Sequence, residues 1–186
     1  MHTITKRLAA AGALALLALT AAPASAAPIE HRHFVDAGTD TFDCNGIDTA
    51  VSWRDRVHEL VRSHGPAGLA YFNVNVNGRS VFTNLDTGGT YTGVYNYTDH
   101  DLKIVDNGDG TLTITAQSAG ATRWFDSDGT LVLKTVGLFR FRIIVDDGGT
   151  PTDPDDDVEI DFELLRFAGL DQTAGRDFCE DLALFT

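Results

Sequence analysis

The chain is short of cysteine, of basic residues and of apolar runs. Of its 186 residues only two are cysteine, Cys44 and Cys179. Neither sits in a CxxC pair or beside a cluster of metal ligands, which argues against a thiol redox motif and a thiolate metal centre. Lys and Arg number 14 against 27 Asp and Glu, a formal charge of −13. So acidic a chain lacks the basic footprint of a nucleic-acid or anionic-membrane binder, and neither is expected as a partner. No GxSxG nucleophile elbow and no glycine-rich phosphate loop occurs. After the first 26 residues no apolar stretch approaches the ~20 residues needed to span a bilayer, so no membrane span is expected.

Those first 26 residues carry an address. Lys6 and Arg7 open them, Leu8 to Ala22 is uncharged, and Ala24-Ser25-Ala26 is a small-x-small cleavage signal. This reads as a secretory signal peptide (1–26) cut after Ala26, leaving one secreted domain (27–186), large enough to bury a core. No cysteine follows the cut, so a lipid anchor there is not expected. The exported context favours a Cys44–Cys179 disulfide, worth ~4–5 kcal/mol on a chain-entropy model. Removing Lys6 and Arg7 from the 14 basic residues leaves 12 against 27 acids. The plain consequence of that charge is solubility; cations, basic proteins and neutral sugars stay open as partners.

From Ala70 onward the chain reads as strands between turns. Tyr71 to Val76 alternates apolar and polar residues, Asn77-Gly78 signals a hairpin, and Ser80 to Thr83 returns. Thr90 to Thr98, rich in Thr and Tyr, suits a pleated surface. Asp106 to Gly110 separates Leu102–Val105 from Thr111–Thr115, and Asp126 to Gly129 separates Thr122–Phe125 from the strand beginning at Thr130. That strand runs on to Val145 with Gly137 as a bend or bulge point, and Val158 to Phe167 follows. With 145 opposite 158, Arg142 faces Asp161 and Arg140 faces Glu163. Ala50 to Arg62 fits a helical stripe or an interrupted strand; the surrounding pattern favours strand. Arg176 to Leu184 fits a short C-terminal helix. The fold class expected is all-β, an antiparallel β-barrel, with a two-sheet β-sandwich as the alternative.

Several phrases resemble one another's company in known proteins: Thr83-Asn84-Leu85-Asp86-Thr87-Gly88, Asn107-Gly108-Asp109-Gly110-Thr111, the run Gly149 to Asp157, and Asp177-Phe178-Cys179-Glu180. Together they resemble a group of small secreted proteins of high-GC Gram-positive bacteria. The resemblance implies export and carries no catalytic role. Lipocalin-like and allene-oxide-cyclase-like barrels are an architectural analogy only.

Candidate sites follow from residue chemistry. Asp146, Asp147, Asp153, Asp155, Asp156 and Asp157 gather in one loop that could supply oxygens to calcium, though without EF-hand spacing; the alternative is a solvated hairpin loop. Asp106, Asn107 and Asp109 are explained by turn chemistry. His31 and His33, two apart, share a strand face, a geometry metals use, but lack a third ligand; His58, His64 and His100 stand alone. Acids are too many for any pair to mark a glycosidase. Tyr91, Tyr95 and Tyr97 share one strand face with Gly93 between them and could stack on a ligand or fill a core. Asn96-Tyr97-Thr98 matches a glycosylation sequon, a pattern common by chance.

Three functions are consistent with this reading. The leading one is a secreted, monomeric, non-catalytic binder of a small apolar molecule or saccharide, with no resident cofactor. The second is an extracellular or envelope interaction protein with an acidic, calcium-binding surface. The third is a barrel enzyme, an isomerase, cyclase or glycosidase.

Overall fold

Residues alternating between an apolar and a polar face form strands here, and the strands are long. The computed structural model describes residues 28–186; the segment 1–26 read as a signal peptide lies outside the described residues. Seven strands, β1 (Pro28–Cys44), β2 (Ile47–His64), β3 (Leu69–Asn84), β4 (Thr90–Asp106), β5 (Thr111–Phe125), β6 (Leu131–Asp146) and β7 (Val158–Asp171), precede one helix, α1 (Phe178–Phe185). Each strand pairs antiparallel with the next in a single sheet ordered β1 to β7. The all-β class and the C-terminal helix are therefore present. The sandwich alternative is not, because all seven strands share one sheet. β1 and β7 are its two edges and do not pair with each other, so the sheet is open.

The sheet nevertheless curls. Leu69 of β3 is buried with Ile104, Leu112 and Val145, residues of β4, β5 and β6. Strands that are not neighbours meet this way only if the sheet coils over its own inner face. Gly137 lies where such coiling is needed: it pairs with Gly120 and Gly169 in one row across β5, β6 and β7. A Cβ on Gly120 would come within 2.2 Å of the Asn96 carbonyl oxygen. This row lets the backbones approach where larger residues would hold them apart.

The opposite end of the inner face is plugged by α1. The Asp177 carboxylate accepts from the Cys179 and Glu180 backbone N–H groups and caps the helix. The Cys44–Cys179 disulfide ties it to the end of β1, the cysteines being 135 positions apart in sequence and their Cα atoms 5.2 Å apart. Leu182 is completely buried against Cys44 and Tyr91, with Trp124, Phe178 and Phe185 around them. Arg176 Nε donates to both carboxylate oxygens of the buried Asp181 at 2.9 Å.

Several local expectations change. Ala50 to Arg62 is strand, the interior of β2, with Val57 and Val61 inward and Arg54, Arg56 and Arg62 outward. Asn77-Gly78 is no turn: β3 runs straight through it. Gly78 is there for space, since a Cβ would lie 2.0 Å from Asp55 Oδ1 and 2.4 Å from the Tyr95 ring. Thr90–Thr98 and Leu102–Val105 are one strand with a register shift near Leu102. The β6–β7 register also differs: shifts near Arg140 and Val145 place Arg142 opposite Glu163 and Arg140 opposite Arg166. No helix among the described residues is long and apolar enough to cross a membrane.

Candidate functional site

A trough on the inner face is made by what β5 lacks. Its inward positions Ala116, Ser118 and Gly120 are small, while their neighbours are large: Tyr97 opposite Gly120, and Phe139 and Phe141 opposite Ser118 and Ala116. Small residues between large ones leave a channel. It holds about 410 Å³ and is lined by Tyr97, Asp99, Ser118, Phe139, Phe141 and, from β7, Phe162 and Leu164. Phe141 and Phe162 stack with centroids 5.6 Å apart at 30°. Among the described residues nothing covers the β7 side, and Phe162 and Leu164 are each 53% exposed.

The acidic group of the trough is Asp99. Its Oδ1 is buried and has no hydrogen-bond partner among the described residues. Leaving a buried acceptor unpaired costs about 1–3 kcal/mol, and more for a charged one. Its neighbour Asp101 has a partner: Oδ2 accepts from the Phe72 N–H at 2.8 Å. Burial pushes the Asp101 carboxyl above the ordinary carboxylate value, and the Phe72 N–H opposes that shift. A shifted carboxylate is what the enzyme reading needs, but Asp101 does not line the trough.

The three tyrosines part company. All face inward, yet Tyr91 is 1% exposed, stacked on Trp124 at 4.7 Å and on Phe185 at 5.6 Å. It is core, and burial, then the Asp181 charge, raises its phenol. Tyr95 donates to Asp55 Oδ1 at 2.6 Å; burial and that bond push it up to about 12. Tyr97 stacks on Tyr95 at 6.1 Å and alone of the three borders the trough. Burial, with Asp99 and Asp55 nearby, raises it.

In the acidic loop three carboxylates cap the loop's own backbone, while the buried Asp157 Oδ1 has no hydrogen-bond partner among the described residues. Asp146 and Asp147 accept from the Gly148 and Gly149 N–H groups, Asp153 from the Asp155 N–H, and Asp156 from the Thr150 hydroxyl. Asp155 is exposed, and Asp157 is held above the ordinary carboxylate value by burial and by its acidic neighbours. Among the described residues no group of three or more His, Cys, Asp or Glu is placed to hold a metal ion. His31 and His33 do meet, Nε2 to Nε2 at 2.8 Å. His58 is not alone: it lies opposite His33 with ring centroids 4.2 Å apart.

The trough residues Asp99, Ser118, Phe162 and Leu164 were not singled out from the sequence. One signal was present: Ala116, Ser118 and Gly120, small at every second position of a strand. Comparison with known proteins finds no family model, no curated protein and no solved structure that matches this chain.

Proposed function

We propose that the protein is a secreted, non-catalytic binding protein that takes a small apolar molecule carrying one hydrogen-bond donor into the inner trough. The unpaired Asp99 Oδ1 in a mostly apolar channel carries this reading. A ligand amine or hydroxyl would supply the missing partner, and the Phe141, Phe162 and Tyr97 rings would flank its apolar body. A saccharide fits less well, because its other hydroxyls would meet Phe and Leu. The binding unit is one chain. Pairing of β1 to β7 into a closed barrel would deepen the same trough. The leader segment, the Cys44–Cys179 pair and the resemblance to secreted bacterial proteins support export.

The test is a titration of the chain from residue 27 with apolar amines and matched carboxylates, such as 3-phenylpropylamine against 3-phenylpropanoate, followed by amide NMR shifts. The amine should shift Tyr97, Ser118 and Phe141 and saturate, the carboxylate should not, and Asp99→Asn should weaken the amine about fivefold or more. Equal response to both probes, or shifts elsewhere only, would overturn the reading.

A second reading, the extracellular interaction protein, has its own observation. The unpaired edge β7 leaves Val158 and Ile160 exposed beside Phe162 and Leu164. An edge of this kind accepts a strand from another chain.

A further inference from the structure

The opposite, outer face of the sheet gathers basic residues of an acidic chain. In the observed registers every Lys and Arg of β2 to β7 falls on it. One transverse row runs Arg54 on β2, Arg79 on β3, Val94 on β4, Arg123 on β5 and Lys134 on β6. Arg54 opposes Arg79 directly and Arg123 opposes Lys134 directly. Like charges in direct cross-strand opposition destabilise a sheet. No acid stands within this row. The ion pairs among the described residues involve Arg32, Arg142 and Arg176, not Arg54, Arg56, Arg79 or Arg123. The saddle of the twisted sheet makes this row a hollow of about 660 Å³, the largest of the described concavities, bordered by all four arginines.

We infer that this hollow is a second binding site, independent of the trough, for an extended acidic polysaccharide bearing carboxylate or sulfate groups. The row crosses four strand spacings of ~4.8 Å, so its charges extend over ~19 Å, which calls for a chain of charges rather than a single anion. Guanidinium forks suit planar or tetrahedral oxyanions. Beside the charged row, Asn77 and Asn96 lie opposite each other on the same hollow. Their amides donate to and accept from sugar hydroxyls, and Val94 offers an apolar step for a ring face. Two aromatic residues border the hollow, Trp53 and Tyr95, but both occupy inward strand positions, where they donate to Asp36 and Asp55; no outward ring is left there on which bases would stack, which disfavours single-stranded nucleic acid.

The experiment measures binding of labelled heparin octasaccharide and oligogalacturonate, with a neutral dextran oligosaccharide, short oligo-dT and polyphosphate in parallel. At least one acidic glycan should bind saturably, more weakly as salt rises, and dextran should not. Joint Arg79→Gln and Arg123→Gln substitution should weaken glycan binding about tenfold or more. Arg142→Gln, on the same face but already paired with Glu163, should change it less than about twofold. The melting temperature of Arg79→Gln should match or exceed the parent's, because the opposed charges are relieved, so lost binding cannot be ascribed to unfolding. Unchanged affinity in the double variant, equal loss in Arg142→Gln, oligo-dT or polyphosphate binding as tight as glycan, or no saturable glycan binding would each overturn the inference.

Discussion

His33 shows how one residue acquires a pH response from its neighbours. It stands between His31 on its own strand and His58 opposite. Desolvation, then the charges of His58 and His31, hold its imidazole below the ordinary value of 6.5. The folded chain thus prefers the neutral ring, and the unfolded chain takes up a proton at higher pH. This contribution to stability is present above about pH 6.5 and is lost as the pH falls through the lowered folded value. Thermal melting between about pH 7.5 and 5.5 should therefore fall more for the parent than for His33→Asn. Parallel curves would show that the three rings do not interact. The spacing of His31 and His33 was legible as a shared face. His58 was not, because β1 had to find its register on β2 first.

At the scale of elements, the helix is the most exacting piece. It is eight residues long, too short to persist alone, and is held by its Asp177 cap, the disulfide and the burial of Leu182. Leu182→Ala should cost about 2–5 kcal/mol in chemical denaturation. Cys179→Ser should cost up to ~4–5 kcal/mol under oxidising conditions. A loss below about 0.5 kcal/mol in both would mean that α1 does not seat on the sheet. Turn chemistry marked strand ends correctly at Asp106–Gly110 and Asp126–Gly129, where glycines take positive φ. It misread Asn77-Gly78, because the same dipeptide serves a strand when a glycine is wanted for close approach to Asp55 and Tyr95. The β6–β7 register went astray by the same kind of local event, since bulges shift pairing without changing the alternation on either side.

The whole molecule is a coiled sheet with two filled ends and an open side. Its edge β7 exposes Val158 (63%), Ile160 (58%), Phe162 (53%) and Leu164 (53%). Long apolar edges associate. Light scattering should give the mass of one chain at low concentration and a rising mass at high concentration, and Ile160→Lys should abolish the rise. A parent mass independent of concentration would remove β7 as an interface. At this scale the charge was legible only as an average. A net charge of −13 describes the molecule seen from afar. It hides a sheet whose cations on β2 to β7 share one face, because period-two alternation sorts residues by face only once each strand's register is known.

The sequence by itself determined the all-β class, the two cysteines available to pair and the short terminal helix, since these rest on local alternation, turn residues and composition. The tertiary structure alone decided that the sheet stays open, that Tyr91 is core while Tyr97 borders a trough, that Asp99 is left without a partner, and that Arg54, Arg79, Arg123 and Lys134 stand in one row. Each depends on which residues meet across strands, and that is set by bulges and close-packed glycines acting together over the whole sheet.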